Sequence, residues 1–232
     1  MKKLISETFE LFIENINSLI LIYFPFLLLS SLISYFQKKS DGIFVYYLYA
    51  IVQLLIESFF TPMLIIFLSL ALFNRAWNYK DLFIRGLVFV PKIFLISLIL
   101  FFLATTFSYV QEYVGVIGGI LFVAIAFFIA IKLSFSSYLI VLENNKLFEG
   151  IKNSFYYTSN YIGKIFLLLI IVGIPLAATQ LIANILIGKY FAIYAIKIFI
   201  DEFLIEIISL LLPIGIFKIY CLDYFQRNET ID

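Results

Sequence analysis

PKIFLISLIL, Pro91 to Leu100, returns in altered form as GKIFLLLIIV, Gly163 to Val172, at an offset of 72 positions. Each copy carries a lysine in second place, Lys92 or Lys164, and then runs into an apolar stretch. Working backward from Lys92 and Lys164, Lys80 falls on Lys152 and Phe83 on Phe155, so the likeness also covers the segment before each apolar run. Both preceding segments are amphipathic. NYKDLFIRGLVFVPK sets Leu82, Phe83, Leu87 and Val90 on one stripe, with Asn78 as its expected cap and Asp81 three residues on. NKLFEGIKNSFYYTSNY does the same with Leu147, Phe148, Ile151 and Phe155, opened by Asn144 or Asn145. A third such segment stands at the N-terminus, where Ile5, Phe9, Phe12, Ile13 and Ile16 share a face opposite Lys3, Glu7, Glu10 and Glu14. That is the pattern of a helix lying in a membrane interface.

The composition places these segments beside a bilayer. Of 232 residues, 64% are hydrophobic and 13% charged, where soluble domains carry roughly a quarter charged. Crossing the hydrocarbon core takes about 20 mostly apolar helical residues, because lipid offers no partner to free backbone groups. Six segments meet this: Ser18–Phe36, Ala50–Phe73, Ile93–Val110, Val116–Leu142, Ile165–Ile187 and Phe203–Phe225. Tyr190–Ile200, with Lys197 inside it and Asp201-Glu202 behind, reads as a short interfacial helix leading into the sixth. The expected fold is therefore an all-α integral membrane protein of one polytopic domain, 1–232. Its six transmembrane helices form three repeats of amphipathic interfacial helix plus transmembrane hairpin, at approximately 1–77, 78–144 and 145–232. The second spans carry the repeat weakly: Pro62 aligns with Pro213, and Lys132 with Lys218, which sets Tyr138 on Tyr224.

Orientation follows from basic residues, which concentrate on the cytoplasmic side. With the N-terminus inside, eleven Lys and Arg fall within (Lys2, Lys3, Arg75, Lys80, Arg85, Lys92, Lys146, Lys152, Lys164, Lys218, Arg227). Four fall outside (Lys38, Lys39, Lys189, Lys197), and Lys132 lies in the membrane. Both termini are expected in the cytoplasm and the protein in the inner membrane. The mixture of Glu7, Glu10 and Glu14 with apolar positions ahead of the first apolar run does not read as a removable signal peptide.

The residue inventory narrows the chemistry. Histidine is absent and Cys221 is single, which removes His-based zinc sites, Ser-His nucleophiles and an internal disulfide. A net charge of +1 without a basic run gives no nucleic-acid footprint. No nucleotide-binding glycine loop or metal-spaced acidic cluster occurs, and no cofactor is expected.

Polar groups within the spans are the candidate functional residues, since such groups are costly in lipid. They are Glu57, Lys132, Gln180, Asn184, Glu206 and Lys218. Lys132 and Lys218 lie about 10 residues, roughly 15 Å, from the inner ends of their helices, within partial reach of snorkelling stems. Glu57 and Glu206 lie nearer the outer ends, so a Lys132–Glu57 pair would join groups at different depths. Gln180 and Asn184 share a helix face and read as interhelical hydrogen-bonding groups. Gly115 and Gly119, and Gly173 and Ala177, are small-residue pairs, and Pro25, Pro62, Pro175 and Pro213 predict kinks.

The stretch Leu133 to Pro175 joins an aromatic-rich span end, a short acidic turn at Glu143-Asn144-Asn145, then GIKNSF, a Gly-Lys and a new span. It resembles a group of six-span bacterial and archaeal membrane proteins similar to the membrane domain fused to some glycerophosphoryl diester phosphodiesterases. The phosphodiesterase domain, with its His and metal-binding carboxylates, has no counterpart in this sequence. The resemblance implies a membrane domain and transfers no functional residue. The resulting expectation is a non-enzymatic multi-pass protein acting as a scaffold or through membrane lipids, with a possible protein partner at its cytoplasmic face. The alternative is a transporter or channel component with Glu57, Lys132, Gln180, Asn184 and Glu206 around a polar cavity.

Overall fold

A computed structural model describes residues 2–39, 42–190, 203 and 205–229, with backbone alone at 37–39, 43–44, 107–117, 180–190 and 227–229. The helices are α1 (Lys2–Glu14), α2 (Ile16–Lys39), α3 (Ile43–Leu72), α4 (Tyr79–Leu87), α5 (Val90–Leu133), α6 (Ser136–Leu142), α7 (Leu147–Tyr157), α8 (Ile162–Tyr190) and α9 (Leu211–Glu229). A 3₁₀ turn, Thr158–Tyr161, joins α7 to α8. No strand occurs among the described residues. Five stretches are long and apolar enough to cross a membrane: Ile16–Phe36, Val45–Leu72, Gly118–Leu142, Leu147–Thr179 and Ile205–Gln226. A sixth arises if Tyr79–Leu87 and Val90–Thr106, bent by 69° at their junction, form one span. The expected interfacial helix at Tyr190–Ile200 falls outside the described residues, save for the backbone of Tyr190.

Helix α5 has 44 residues, and a straight helix of that length would reach roughly 66 Å at about 1.5 Å per residue. It does not run straight. Leu100, Leu103 and Ala104 line one cavity with Val123, Ala126, Phe127 and Ala130, so the two halves of α5 face each other. The chain therefore reverses between Thr106 and Gly118, where the sequence places a loop between two spans.

The core lies where the second halves of α3, α5–α6 and α9 meet. Tyr138 stacks on Tyr220 with ring centroids 5.5 Å apart and meets Phe217 at 6.1 Å, while Phe135 sets its edge to Tyr220 at 5.7 Å. The Tyr138 hydroxyl donates to the Pro213 carbonyl at 2.7 Å, which lets a polar tip sit in an apolar core. Met63, Leu64 and Phe67 of α3 complete this cluster. Leu72, Leu142 and Tyr224 line a common cavity of about 210 Å³. The C-terminal ends of these three helices thus gather at one end of the bundle.

Helices α4, α7 and α1 collect at that same end. α4 packs on α3, α7 on α6, and α1 on α9. Asn74 takes a left-handed conformation (φ 50°), with Asn74 N–H donating to Ala71 O at 3.1 Å and Arg75 N–H to Leu70 O at 2.9 Å. These bonds satisfy the last carbonyls of α3 and turn the chain toward α4. The Asn78 side chain caps α4, accepting from Lys80 N–H at 2.9 Å. The expected asparagine cap of α7 is corrected: its N-cap is Lys146, without a side-chain cap bond. Asn144 has φ 54°, so it terminates α6.

Candidate functional site

Glu57 and Glu206, distant in sequence, border one crevice of about 260 Å³ between α2, α3 and the helical stretch 205–209 ahead of α9. They are close enough to interact electrostatically. Each is embedded in local hydrogen bonding. The Gln53 amide nitrogen donates to Ser30 Oγ at 2.5 Å, and Gln53 lines the crevice beside Glu57. The Gln53 carbonyl oxygen, buried, has no donor. Ser209 Oγ donates to the backbone oxygen of Glu206 at 2.7 Å and to its carboxylate at 3.1 Å. Thr61 lines the crevice and returns its hydroxyl to Glu57 O at 2.9 Å. The rest of the wall is apolar, including Tyr23, Phe26, Phe60 and Pro213. Carboxylates, amide and hydroxyls offer oxygen acceptors within a largely apolar enclosure.

Lys132 belongs elsewhere. Its ammonium donates to Phe155 O at 2.9 Å and to Ser159 Oγ at 2.6 Å, and lies 5.7 Å from the centroid of Phe128. These carbonyl and hydroxyl groups stand at the end of α7, where a helix favours positive charge. The stem is buried and the head bridges α5 to α7, so Lys132 acts as a structural pin.

Ser154 of α7 answers from the other side. Its hydroxyl donates to Lys132 O at 2.6 Å and accepts from Phe135 N–H at 3.2 Å. Both groups flank the break between α5 and α6, where backbone bonding is interrupted. Gly150, one turn earlier, lets α7 approach: a Cβ there would stand 2.7 Å from Ile140 Cγ1.

Lys218 is half-buried on α9, one turn before Cys221. The side chains of Gln180 and Asn184 lie outside the described residues. Gly173 makes no close contact, since a Cβ added there meets nothing within 4 Å. The side chains around Gly115 likewise lie outside the described residues. Among the described residues no group of three His, Cys, Asp or Glu could hold a metal ion.

Sequence reasoning found Glu57 and Glu206 singly and missed Ser30, Gln53, Thr61, Ser154 and Ser209. A signal for part of this set existed: Gln53, Glu57 and Thr61 recur every four residues on one face of α3. No protein-family model, curated protein or solved structure matches the chain, so its function has to be argued from its own residues.

Proposed function

We propose that this chain is a non-enzymatic inner-membrane protein with both termini cytoplasmic, whose α1, α4 and α7 form a collar that engages membrane lipid and offers a surface to a protein partner. The observation that carries the reading is the outward apolar face of all three helices. Ile13 of α1 is 64% exposed, Val88 at the end of α4 69%, and Phe148 and Tyr156 of α7 82% and 76%. The faces turned inward are narrower and include small or polar groups: Leu4, Thr8 and Leu11 on α1, Leu82 and Gly86 on α4, Gly150 and Ser154 on α7. Large apolar side chains beside charged ones at the mouth of a bundle suit headgroup and upper acyl depth.

The reading includes three units, 1–77, 78–144 and 145–232, around a pseudo-threefold axis. The packing order supports it: each amphipathic helix rests on the second span of the preceding unit, and α1 rests on α9. The excess of basic residues at the collar supports a cytoplasmic placement. Kinship to the phosphodiesterase-linked membrane domains rests on Leu133–Pro175 alone.

Spin labels at positions 13, 88 and 148, each in a Cys221→Ser background reconstituted in bilayers, test the collar. Oxygen collision rates should exceed those of a water-soluble nickel reagent at all three sites. Labels that behave as fully water-exposed would remove the reading.

A second reading, a transporter component for a small cation or polar solute, is favoured by the shared crevice of Glu57 and Glu206. It requires Glu57→Gln and Glu206→Gln each to abolish a flux measured in proteoliposomes, and an absence of flux across a panel of monovalent cations would count against it.

A further inference from the structure

We infer that the corner between α3 and α4 is a binding site for the phosphodiester headgroup of an anionic phospholipid, held between Arg75 and Arg85 beside Trp77. The inference rests on the lipid-engaging collar proposed above and names one ligand of it. A cavity of about 420 Å³ opens at this corner, lined by Arg75, Trp77, Asn78, Asp81 and Arg85 with Leu70 and Leu82 at its base. That falls among the ~300–1,000 Å³ typical of small-molecule sites.

Local structure places each group. The left-handed Asn74 and the Arg75 N–H bond to Leu70 O fix where Arg75 leaves α3, and its guanidinium carbon lies 5.8 Å from the Phe73 ring centroid. Trp77 is anchored edge-on against Phe67 at 5.4 Å. Arg85 sits one turn beyond Asp81 on α4, so both reach the same cavity. Among the described residues neither arginine is ion-paired, Asp81 notwithstanding. Two guanidinium charges against one carboxylate leave a net of one positive charge, which matches one phosphodiester. Guanidinium forks bind phosphate oxygens in bidentate fashion.

The choice of a lipid over a soluble anion follows from the rim. Ile84 precedes Arg85 on α4, Val88 follows at its C-cap, and Phe73 lies beside the Arg75 guanidinium, all three exposed. They give acyl chains an apolar surface contiguous with the charged cavity. Basic pockets at helix junctions on a membrane face are suited to such headgroups.

Trp77 is the chain's one tryptophan, so its fluorescence reports on this corner directly. The full chain in phosphatidylcholine nanodiscs is supplemented with increasing phosphatidylglycerol. A saturable change in Trp77 emission is expected, with its midpoint raised about fivefold by Arg75→Gln or Arg85→Gln and about thirtyfold by both, on the scale of one basic residue's attraction to an anionic surface. Arg85→Lys keeps the charge and loses the fork, so it should raise the midpoint by less than Arg85→Gln does, and it keeps the test open if the glutamine variants fold poorly, as judged by elution and Cys221 reactivity. Lys152→Gln, an equal charge change on α7, should shift the midpoint less than about twofold, the effect of a fraction of one such charge. Free glycerol 3-phosphate at the same concentration should not compete.

The inference is overturned by a linear response, by a double variant that matches the parent, by an equal loss in Lys152→Gln, or by full competition from glycerol 3-phosphate. Brominated acyl chains in phosphatidylcholine separate this site from the collar. Quenching of Trp77 without any headgroup response overturns the site alone, and an absence of quenching removes the collar reading with it.

Discussion

Ser154→Ala removes one oxygen and disturbs two helix boundaries. The Ser154 hydroxyl is fully buried, and its loss strips Lys132 C=O of its 2.6 Å donor and Phe135 N–H of its 3.2 Å acceptor. An orphaned buried backbone group costs about 1–3 kcal/mol, so with partial relaxation the variant should lose about 2–4 kcal/mol. For chains of this size each kcal/mol shifts the midpoint by about 2–4 °C, giving a fall of about 4–16 °C. Cys221, the chain's one cysteine, is half-buried in α9, and its reaction with a maleimide dye on heating reports unfolding in detergent. Ser159→Ala is the control. Ser159 is exposed, and its removal leaves Lys132 bonded to Phe155 O, so about 1 kcal/mol and about 2–4 °C are expected. Ser154→Ala melting no lower than Ser159→Ala would refute the idea that α7 splints the α5–α6 break.

Three further outcomes follow from the packing. Gly150→Ala, with its new Cβ 2.7 Å from Ile140 Cγ1 inside the core, should destabilise by about 1–3 kcal/mol through overpacking, read in the same melt. Gly215→Ala would place a Cβ 2.5 Å from Leu168 Cδ2 where α9 crosses α8, and Leu168→Ala alone should cost about 2–5 kcal/mol. Their combination should cost clearly less than the sum, as a double-mutant cycle would show. Tyr138→Phe keeps the ring stack on Tyr220 but loses the bond to Pro213 O, for about 1 kcal/mol.

What could be read from the sequence follows the solvent. Lipid demands unbroken apolar helices, so the spans stood out, as did the loop between Val110 and Val116, which holds Gln111 and Glu112. Amphipathic periodicity also located α1, α4 and α7. It marks only the apolar stripe, however, and that stripe is split between the two sides: Leu82 and Val90 are buried, while Phe9, Ile13, Phe83, Leu87 and Phe148 are exposed. The residues that lock α7 to its neighbour, Gly150 and Ser154, carry no hydrophobic signal and look like surface positions. The Glu57–Glu206 crevice was half legible for a different reason. Each carboxylate is conspicuous in its own helix, but nothing in one sequence records that α3 and the start of the last span lie side by side. Lys132 was conspicuous too, and its partners, a backbone carbonyl of α7 and a serine of the 3₁₀ turn after it, are of kinds that no charge pattern can single out.

The two KIFL joints share one device and differ by one residue. Lys92 lies 5.9 Å from the ring centroid of Phe89, and Lys164 lies 5.0 Å from that of Tyr161, in each case three residues back. A lysine stem laid over an aromatic ring covers apolar surface while leaving its ammonium free to meet water. Before Lys92 stands Pro91, and before Lys164 stands Gly163. Proline has no N–H to bond the carbonyl of Leu87, so α4 ends there, α5 restarts at Val90, and the axis bends by 69°. Glycine keeps its N–H. The chain there passes through the 3₁₀ turn Thr158–Tyr161 directly into α8, with Thr158 Oγ1 donating back to Ser154 O at 2.6 Å. Lys92 also donates to Asn145 O at 3.3 Å, tying the first joint to the start of α7. A single aligned position thus separates the α4–α5 joint, which breaks and bends, from the α7–α8 joint, which runs on through a 3₁₀ turn, while the lysine after it lies over an aromatic ring in both.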